Sequence, residues 1–430
     1  MNAPAISPTI RHVRIVWSDG RSEQVRLVSI GKSGGAGEVF TIDNKLEYVA
    51  KVYHPNILQA HRAEYEQKIR WMIRNPPELP PVPTGQLGIV QLAWPVAMVM
   101  QGGRFTGFVM EKIDFQRTME LDYLLTRSQA SKEGFETDFG KLVTICHNLA
   151  SLLHCLHSKK IAVVDLKPIN LKVYKKELYV SILDCDGFHI HADDFVSAAP
   201  QVTPEYLAPE FHGRSVSNPE NQDRFALATI IFRLLNYGIH PYAGIAANRH
   251  QLYPTELAGR IEKGLYPYGR SGNRSVRATP ASVHECFPDV LRETFDRAFA
   301  SGTYRATAQE WAAILNGFAS KSTGAMSLCE QGHVRFTGKN CPTCLREGIL
   351  KGHAERRKHF LTRVQTSPTR AVRYVRKTIR GTQTSPFQAA LAQGQVRGLR
   401  QAPPTLPVRN MISIEILWIM GLAISYWWLK

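Results

Sequence analysis

A chain of 430 residues, 44% apolar and 21% charged, has the composition of a globular protein and is too long for one small core, so two or more folded units with connections are expected. Seven cysteines, three close together and four scattered as Cys146, Cys155, Cys185 and Cys286, speak against a disulfide framework and for a reducing compartment. The formal net charge of +17 is uneven: between Arg346 and Arg409 fourteen Lys or Arg face two acids, Glu347 and Glu355, a density that suits anionic lipid, nucleic acid or a solvated linker.

The opening "MNAPAISPTIRHVR" lacks the apolar stretch of a signal peptide. Next, "RHVRIVWS" and "SEQVRLVSI" flank "DG", a hairpin signal, and "GEVFTI" and "LEYVAKVY" follow, joined by "DNK". A polar helix is predicted from about Asn56 to Arg74, ending before "NPPELPPVP", and "GFVMEKI" reads as one more buried strand. From about Phe139 the pattern turns helical, with Leu142, Ile145, Leu149, Leu152, Leu153 and Leu156 on one face, and "ATAQEWAAILNGF" is a further amphipathic helix ending near Ser320. Strands precede helices. The expected class is α+β, a β-rich N-lobe and a larger α-rich C-lobe with a cleft between them, over residues 1–320.

Three shorter regions are expected beyond it: a compact Cys/His segment at 325–350, a basic Pro/Gln/Thr-rich linker without stable structure at 351–410, and an apolar run at 411–429. The run is nineteen residues long with one acid, Glu415, near its start; as a helix it would measure about 28 Å, the thickness of a bilayer's hydrocarbon. Trp418 and the cluster Tyr426, Trp427, Trp428 suit the two interfaces. A transmembrane helix is predicted, a single-pass C-terminal anchor with the folded body in the cytoplasm, where Arg409 and the linker obey the positive-inside rule. The linker repeats "QTSP" at Gln365–Pro368 and Gln383–Pro386, offering Thr366, Ser367, Thr384 and Ser385 within tether reach of the cleft as phosphorylation candidates.

The chemistry-bearing residues start with "IGKSGGAGEVF". "GKS" is not a phosphate-binding loop, because Arg26 stands where that motif needs glycine. The segment reads instead as a hairpin cover in which Gly34, Gly35 and Gly37 let the backbone approach polyphosphate and Val39 folds over a base. Lys51 in "YVAKVY", on the third strand of this series, would hold α- and β-phosphates if a helix carboxylate fixed it. Glu64 and Glu66 are candidates for that carboxylate, and Glu66 is preferred because Ile69, three residues on, must pack inward.

The strongest signal is "DLKPIN" followed by "DCDGF". Asp165 would accept a hydroxyl proton, Lys167 would steady a transferred phosphoryl group, Asn170 would ligate metal, and Asp184 would arrive at the end of "YVSILD" to hold Mg2+. A separate cluster, "CEQGHVRFTGKNCPTC", offers Cys329, His333, Cys341 and Cys344 as a closed set of three thiolates and an imidazole for structural Zn2+, with C-x3-H in place of the usual C-x2-C.

With these motifs the chain resembles the eukaryotic-type protein kinase family from about Ser29 to Phe318. "TPEYLAPE", with Thr203 and Glu210, is similar to the family's substrate-docking and anchor segment. Asp223 in "DRFALAT" is similar to the buried Asp of its central helix, and Arg305 in "YRATAQEW" to the Arg that pairs with the anchor Glu. The resemblance implies ATP and Mg2+ as cofactors, Ser/Thr specificity through Lys167, and a nucleotide site of Gly34, Gly35, Gly37, Val39, Lys51, Glu66, Glu111 and Ile113. The kinase-plus-ribbon architecture looks like a bacterial subgroup found beside metal-dependent protein phosphatases, which implies a cognate phosphatase as partner. The sequence departs from the family at Val163 and Val164, which replace His-Arg, and in "DCD", which replaces Asp-Phe-Gly. The lost Arg removes a mode of control and no group that touches ATP. The expected activity is therefore that of a membrane-anchored Ser/Thr protein kinase acting on a protein substrate, nucleic acid not being an expected partner. The alternative is a nucleotide-binding pseudokinase that presents its ribbon and linker as a scaffold.

Overall fold

The computed structural model describes residues 10–82, 88–192, 195–199, 202–248, 253–299 and 304–366. The predicted linker beyond 366, with the last two residues of the first "QTSP" repeat and all of the second, and the apolar run at 411–429 lie outside the described residues. The chain divides into two compact units, Met1–Pro342 and Thr343–Lys430.

Six antiparallel strands open the first unit: β1 (Ile10–Trp17), β2 (Ser22–Ser33), β3 (Gly37–Ile42), β4 (Tyr48–Tyr53), β5 (Pro95–Gln101) and β6 (Arg104–Glu111). They close into a barrel in the order β1-β2-β3-β4-β6-β5, with β5 returning to pair with β1. Alternation decides which side chains fill it. Val13, Ile15, Leu27, Phe40, Ala50, Val52, Ala97 and Val109 point inward and are buried together. One strand was not foreseen: β5, "PVAMVMQ", is a continuous apolar run without alternation. With the predicted leading hairpin counted, β4 is the fourth strand of the series, not the third.

Helix α1 (Pro55–Arg74) begins with Pro at its first position and bends at His61, whose φ of −134° is non-helical. It is fastened to the sheet side by Trp94, whose indole Nε1 donates to the Met72 carbonyl at 2.9 Å. The C-terminal lobe is built on α2 (Phe139–Ser158), α3 (Pro219–Leu235), α4 (Asp289–Phe299) and α5 (Ala308–Ala319). α2 starts at Asp138, whose side chain accepts from Lys141 N, and α5 starts at a capping box of Thr307 and Glu310. α2 is long and apolar enough to cross a membrane by length and composition, yet its predicted face from Leu142 to Leu156 is buried in the lobe's core. α3 is apolar nearly all round, as a helix at the centre of a lobe must be. The fold is thus the two-lobed α+β arrangement that the order of elements implies.

The first part of the Cys/His segment, up to Pro342, belongs to the first unit. Strands β9 and β10, which follow the cleft hairpin β7 (Leu171–Tyr174) and β8 (Val180–Ile182), span Met326–Leu328 and Val334–Phe336 and form a hairpin within the first unit. Phe336 is fully buried, its ring 5.2 Å from Phe318 and 6.3 Å from both Phe139 and Phe287. Lys339 reaches Asp289 at 3.3 Å. The last helix, α6, runs Pro342–Thr366, so residues 351–366, expected to open an unstructured linker, instead continue a helix begun in the Cys/His segment.

Candidate active site

Lys51 lies on β4 between Ala50 and Val52, which face the barrel, so period two turns its side chain to the opposite, cleft face. Val39 stands opposite it in register on β3 and shares that face, as expected of a residue covering a base. Gly37 is required for a reason internal to the fold: a Cβ there would lie 2.5 Å from the Val52 carbonyl. At Gly34 and Gly35 an added Cβ would meet no atom closer than 3.8 Å. His54 holds this hairpin from below, its Nε2 donating to the Gly34 carbonyl at 2.9 Å and its backbone N–H to Ala36 O at 3.0 Å. Glu111 ends β6 and is exposed, while Ile113 is buried two residues on.

The ammonium of Lys51 is held by two carboxylates from one turn: Asp186 at 2.8 Å and Asp184 at 3.1 Å. Burial works to lower its pKa, but the two aspartates outweigh that and raise it above the ordinary lysine value. Glu66 is not the partner. It lies on the outer face of α1 and pairs with Arg70 at 2.7 Å one turn on, while Glu64 pairs with His61 at 3.3 Å. The inward face at this level carries Lys68 instead, 3% exposed, its Nζ donating to the Phe188 carbonyl. Burial pulls the Lys68 pKa down to about 8, with Asp186 acting in the opposite direction.

The hairpin β7–β8 explains how Asn170 and Asp184 meet. Asn170 precedes β7, Asp184 follows β8, and the Leu183 N–H donates to the Asn170 carbonyl at 2.9 Å, closing the base of the hairpin. Asp184 adopts a left-handed backbone, φ 53°, and its side chain is 64% exposed to the cleft. The turn after it, Cys185–Gly187, buries Cys185 completely and directs Asp186 inward.

Asp165 sits at the other wall of the cleft. Its Oδ1 accepts from Thr203 N at 2.9 Å and Thr203 Oγ1 at 2.8 Å, and Lys167 Nζ lies 2.7 Å from its Oδ2 and 2.8 Å from Thr203 Oγ1. Asn170 Nδ2 donates to the Asp165 carbonyl at 3.3 Å. Asp165, Lys167, Asn170 and Thr203 therefore form one constellation, with the docking-segment threonine directly on the aspartate. Val163 and Val164, in the positions of the family's His-Arg, are buried. Asp165 N–H donates to the Val163 carbonyl at 2.8 Å across Val164 at φ 66°, a three-residue turn strained for a β-branched residue. Asp223 pins it by accepting the N–H groups of Val163 and Val164 at 2.7 Å each.

Glu210 receives a two-pronged contact from Arg305, Nη2 to Oε2 at 2.9 Å and Nη1 to Oε1. Gln222 was not singled out from sequence, yet its buried amide ties down the docking segment, accepting Ala208 N–H at 2.9 Å and donating to Tyr206 O at 2.7 Å. Its position beside Asp223 on α3 was the available signal. Separately, one ligand atom from each of Cys329, His333, Cys341 and Cys344 falls within 4.8 Å of the others. The donor set and spacing fit a closed tetrahedral ion site.

A cleft with a strand lysine, an exposed aspartate beyond a hairpin and an Asp/Lys/Asn loop beneath a Thr203–Glu210 segment has the architecture of a eukaryotic-type protein kinase. No family model matches the chain. Among known proteins it is similar to the proteins named protein kinase YegI of Escherichia coli K12, 27% identical over 67% of this chain and 43% of the relative, and of Escherichia coli O157:H7, 26% identical over 73% and 48%. It is also similar to the human cAMP-dependent protein kinase catalytic subunit PRKX, 38% identical over 25% of this chain and 28% of that protein. The autoinhibited serine kinase domain of titin aligns with 79% of this chain and 85% of that one at 15% identity and a TM-score of 0.47. These similarities support a eukaryotic-type kinase of bacterial kind, and the chain spans less than half the length of the two bacterial proteins it matches.

Proposed function

We propose that this chain is a Ser/Thr protein kinase. The observation that carries the reading is the convergence of Lys51, Asp184, Asp165, Lys167 and Asn170 on one cleft despite the loss of His-Arg. Mg-ATP, when bound, supplies the phosphoryl group and the cation that offsets its charge. Lys51 would hold phosphate oxygens, and Asn170 with Asp184 would hold the metal. Asp165 orients the acceptor hydroxyl and takes its proton as the acceptor O–P bond forms and the β,γ-bridging P–O bond breaks, with ADP leaving. Lys167, 2.7 Å from Asp165, offsets the charge gathering on the transferred group.

The Cys/His set would hold structural Zn2+, and the run at 411–429 would anchor the protein with the kinase body in the cytoplasm. The partners in this reading are a protein substrate and, by likeness to the ribbon-bearing subgroup, a cognate phosphatase.

Transfer from labelled ATP to a general protein acceptor tests the reading. Asp165→Asn and Lys51→Met should each lose at least about 100-fold, on the scale of one electrostatic contact in a closed site. Wild-type protein that binds ATP and transfers nothing would instead establish the pseudokinase scaffold. Release by carbonate extraction would remove the anchor.

A further inference from the structure

In the arrangement that the sequence led us to expect, the lysine on the strand is fixed by a carboxylate on the helix. Here the helix offers none: Glu66 and Glu64 pair on the outside of α1, and the buried residue on its inward face is the cation Lys68. The anion comes from the opposite side, from the turn after Asp184.

The two aspartates on Lys51 are not equivalent. Asp186 makes the shorter contact and its side chain is 3% exposed, whereas the Asp184 side chain is 64% exposed. A carboxylate closed off from solvent against Lys51 has no exchange partner, while one open to the cleft does. Phosphate transfer needs Asp184 on the metal and Lys51 on the phosphates at once. If Asp184 were the lysine's sole anion, the lysine and the metal would compete for it.

We propose that Asp186 is a positioning residue which takes over the role of the helix carboxylate, keeping Lys51 aligned and releasing Asp184 for Mg2+. In place of the family glycine, Asp186 makes the turn itself, not helix α1, the source of the fixing charge. Lys68 is the second cation of the cluster; it ties α1 to the Phe188 carbonyl and so couples the helix to the same turn. Cys185, in the place of the family aromatic, is buried in the same turn as Asp186.

The proposal rests on the nucleotide-site reading above, and its test is binding, which does not require transfer. The full chain is titrated with a fluorescent ATP analogue at a series of Mg2+ concentrations. Asp186→Asn should need at least about ten times more Mg2+ for half-maximal binding, because Lys51 then captures Asp184, and Glu66→Gln should match wild type. Should Asp186→Asn fold poorly, Asp186→Asn with Lys68→Met removes one buried charge of each sign and should show the same Mg2+ shift. A purely structural role would lower the melting temperature without moving the Mg2+ midpoint. Unchanged Mg2+ dependence in the variant that folds, or an equal shift in Glu66→Gln, overturns the assignment. Wild type that binds with the expected Mg2+ dependence and transfers nothing refutes the kinase activity alone.

Discussion

The carboxylate of Asp223 accepts the backbone N–H groups of Val163 and Val164 at 2.7 Å each, and the His157 ring donates to it at 3.0 Å. This is how the Asp165 loop keeps its shape without His-Arg. The strained turn at Val164 is held through main-chain atoms, which any side chain supplies, so its conformation does not depend on the residues lost.

Asp223→Ala should therefore be severe. It leaves two buried N–H groups and His157 without their acceptor, at about 1–3 kcal/mol for each unsatisfied donor. We expect a loss on the order of 3 kcal/mol or more in urea denaturation, together with loss of transfer. Asp223→Asn, which keeps one acceptor oxygen, should fall between the two. A variant within about 0.5 kcal/mol of wild type would show that the turn is held by something else.

Glu66→Gln should leave ATP affinity and transfer within about threefold of wild type, since its partner is Arg70 at i+4 and such pairs contribute only about 0.3–0.5 kcal/mol. A hundredfold loss would mean that α1 rotates inward during turnover and that Glu66 reaches Lys51 there. Steady-state kinetics with ATP as the varied substrate decides it.

The lobes, α2, α5, the Asp165 loop and the Asp184 hairpin were legible because each rests on local spacing: alternation, a helical face, or fixed offsets within one motif; the Glu210–Arg305 pair, 95 residues apart, was legible only through the family resemblance. What was not legible depends on which face of an element meets another. Glu66 and Lys68 are two residues apart, and Ile69 packs inward beside Lys68, so the inward argument was sound in kind but selected the wrong neighbour. Asp186 was read only as a departure from the family's Asp-Phe-Gly, because its partner, Lys51, is 135 residues away in sequence. The fusion of the Cys/His hairpin to the C-terminal lobe rests on Phe336, one aromatic in a polar segment, whose burial only tertiary packing reveals.

The Glu210–Arg305 pair gives a pH dependence. Burial would raise the Glu210 pKa, but Arg305 outweighs it and holds the carboxyl below its ordinary value. The folded pKa is depressed, so the contribution is present above the unfolded value, near 4.5, and is lost as pH falls through the folded one. Arg305→Ala should cost on the order of 3 kcal/mol at neutral pH, toward the lower end for broken buried pairs because the Glu210 side chain is 38% exposed. It should also flatten the loss of stability below about pH 4.5. Thermal melts of both proteins from pH 3 to 7 check this, and parallel curves would exclude the pair as a source of acid sensitivity.

The Cys/His segment should stabilise the body of the first unit and not only itself. Phe336, at the end of β10, is fully buried against Phe139 at the start of α2, Phe287 before α4 and Phe318 in α5. Its strand belongs to a hairpin of three residues a side, too short to be stable alone, and the turn is set by Cys329, whose N–H donates to the His333 carbonyl at 2.9 Å. An ion on the four ligands would fix that turn and so hold Phe336 in its socket. Phe336→Ala should cost about 3–5 kcal/mol by cavity formation. Protein purified without chelator should carry close to one zinc per chain by elemental analysis. Chelation, or Cys341→Ser, should lower the melting temperature of the whole first unit in one transition while leaving the Lys51–Asp186 contact unaltered. A separate low-temperature transition, with the main one unmoved, would show that the hairpin folds onto the lobe without contributing to it.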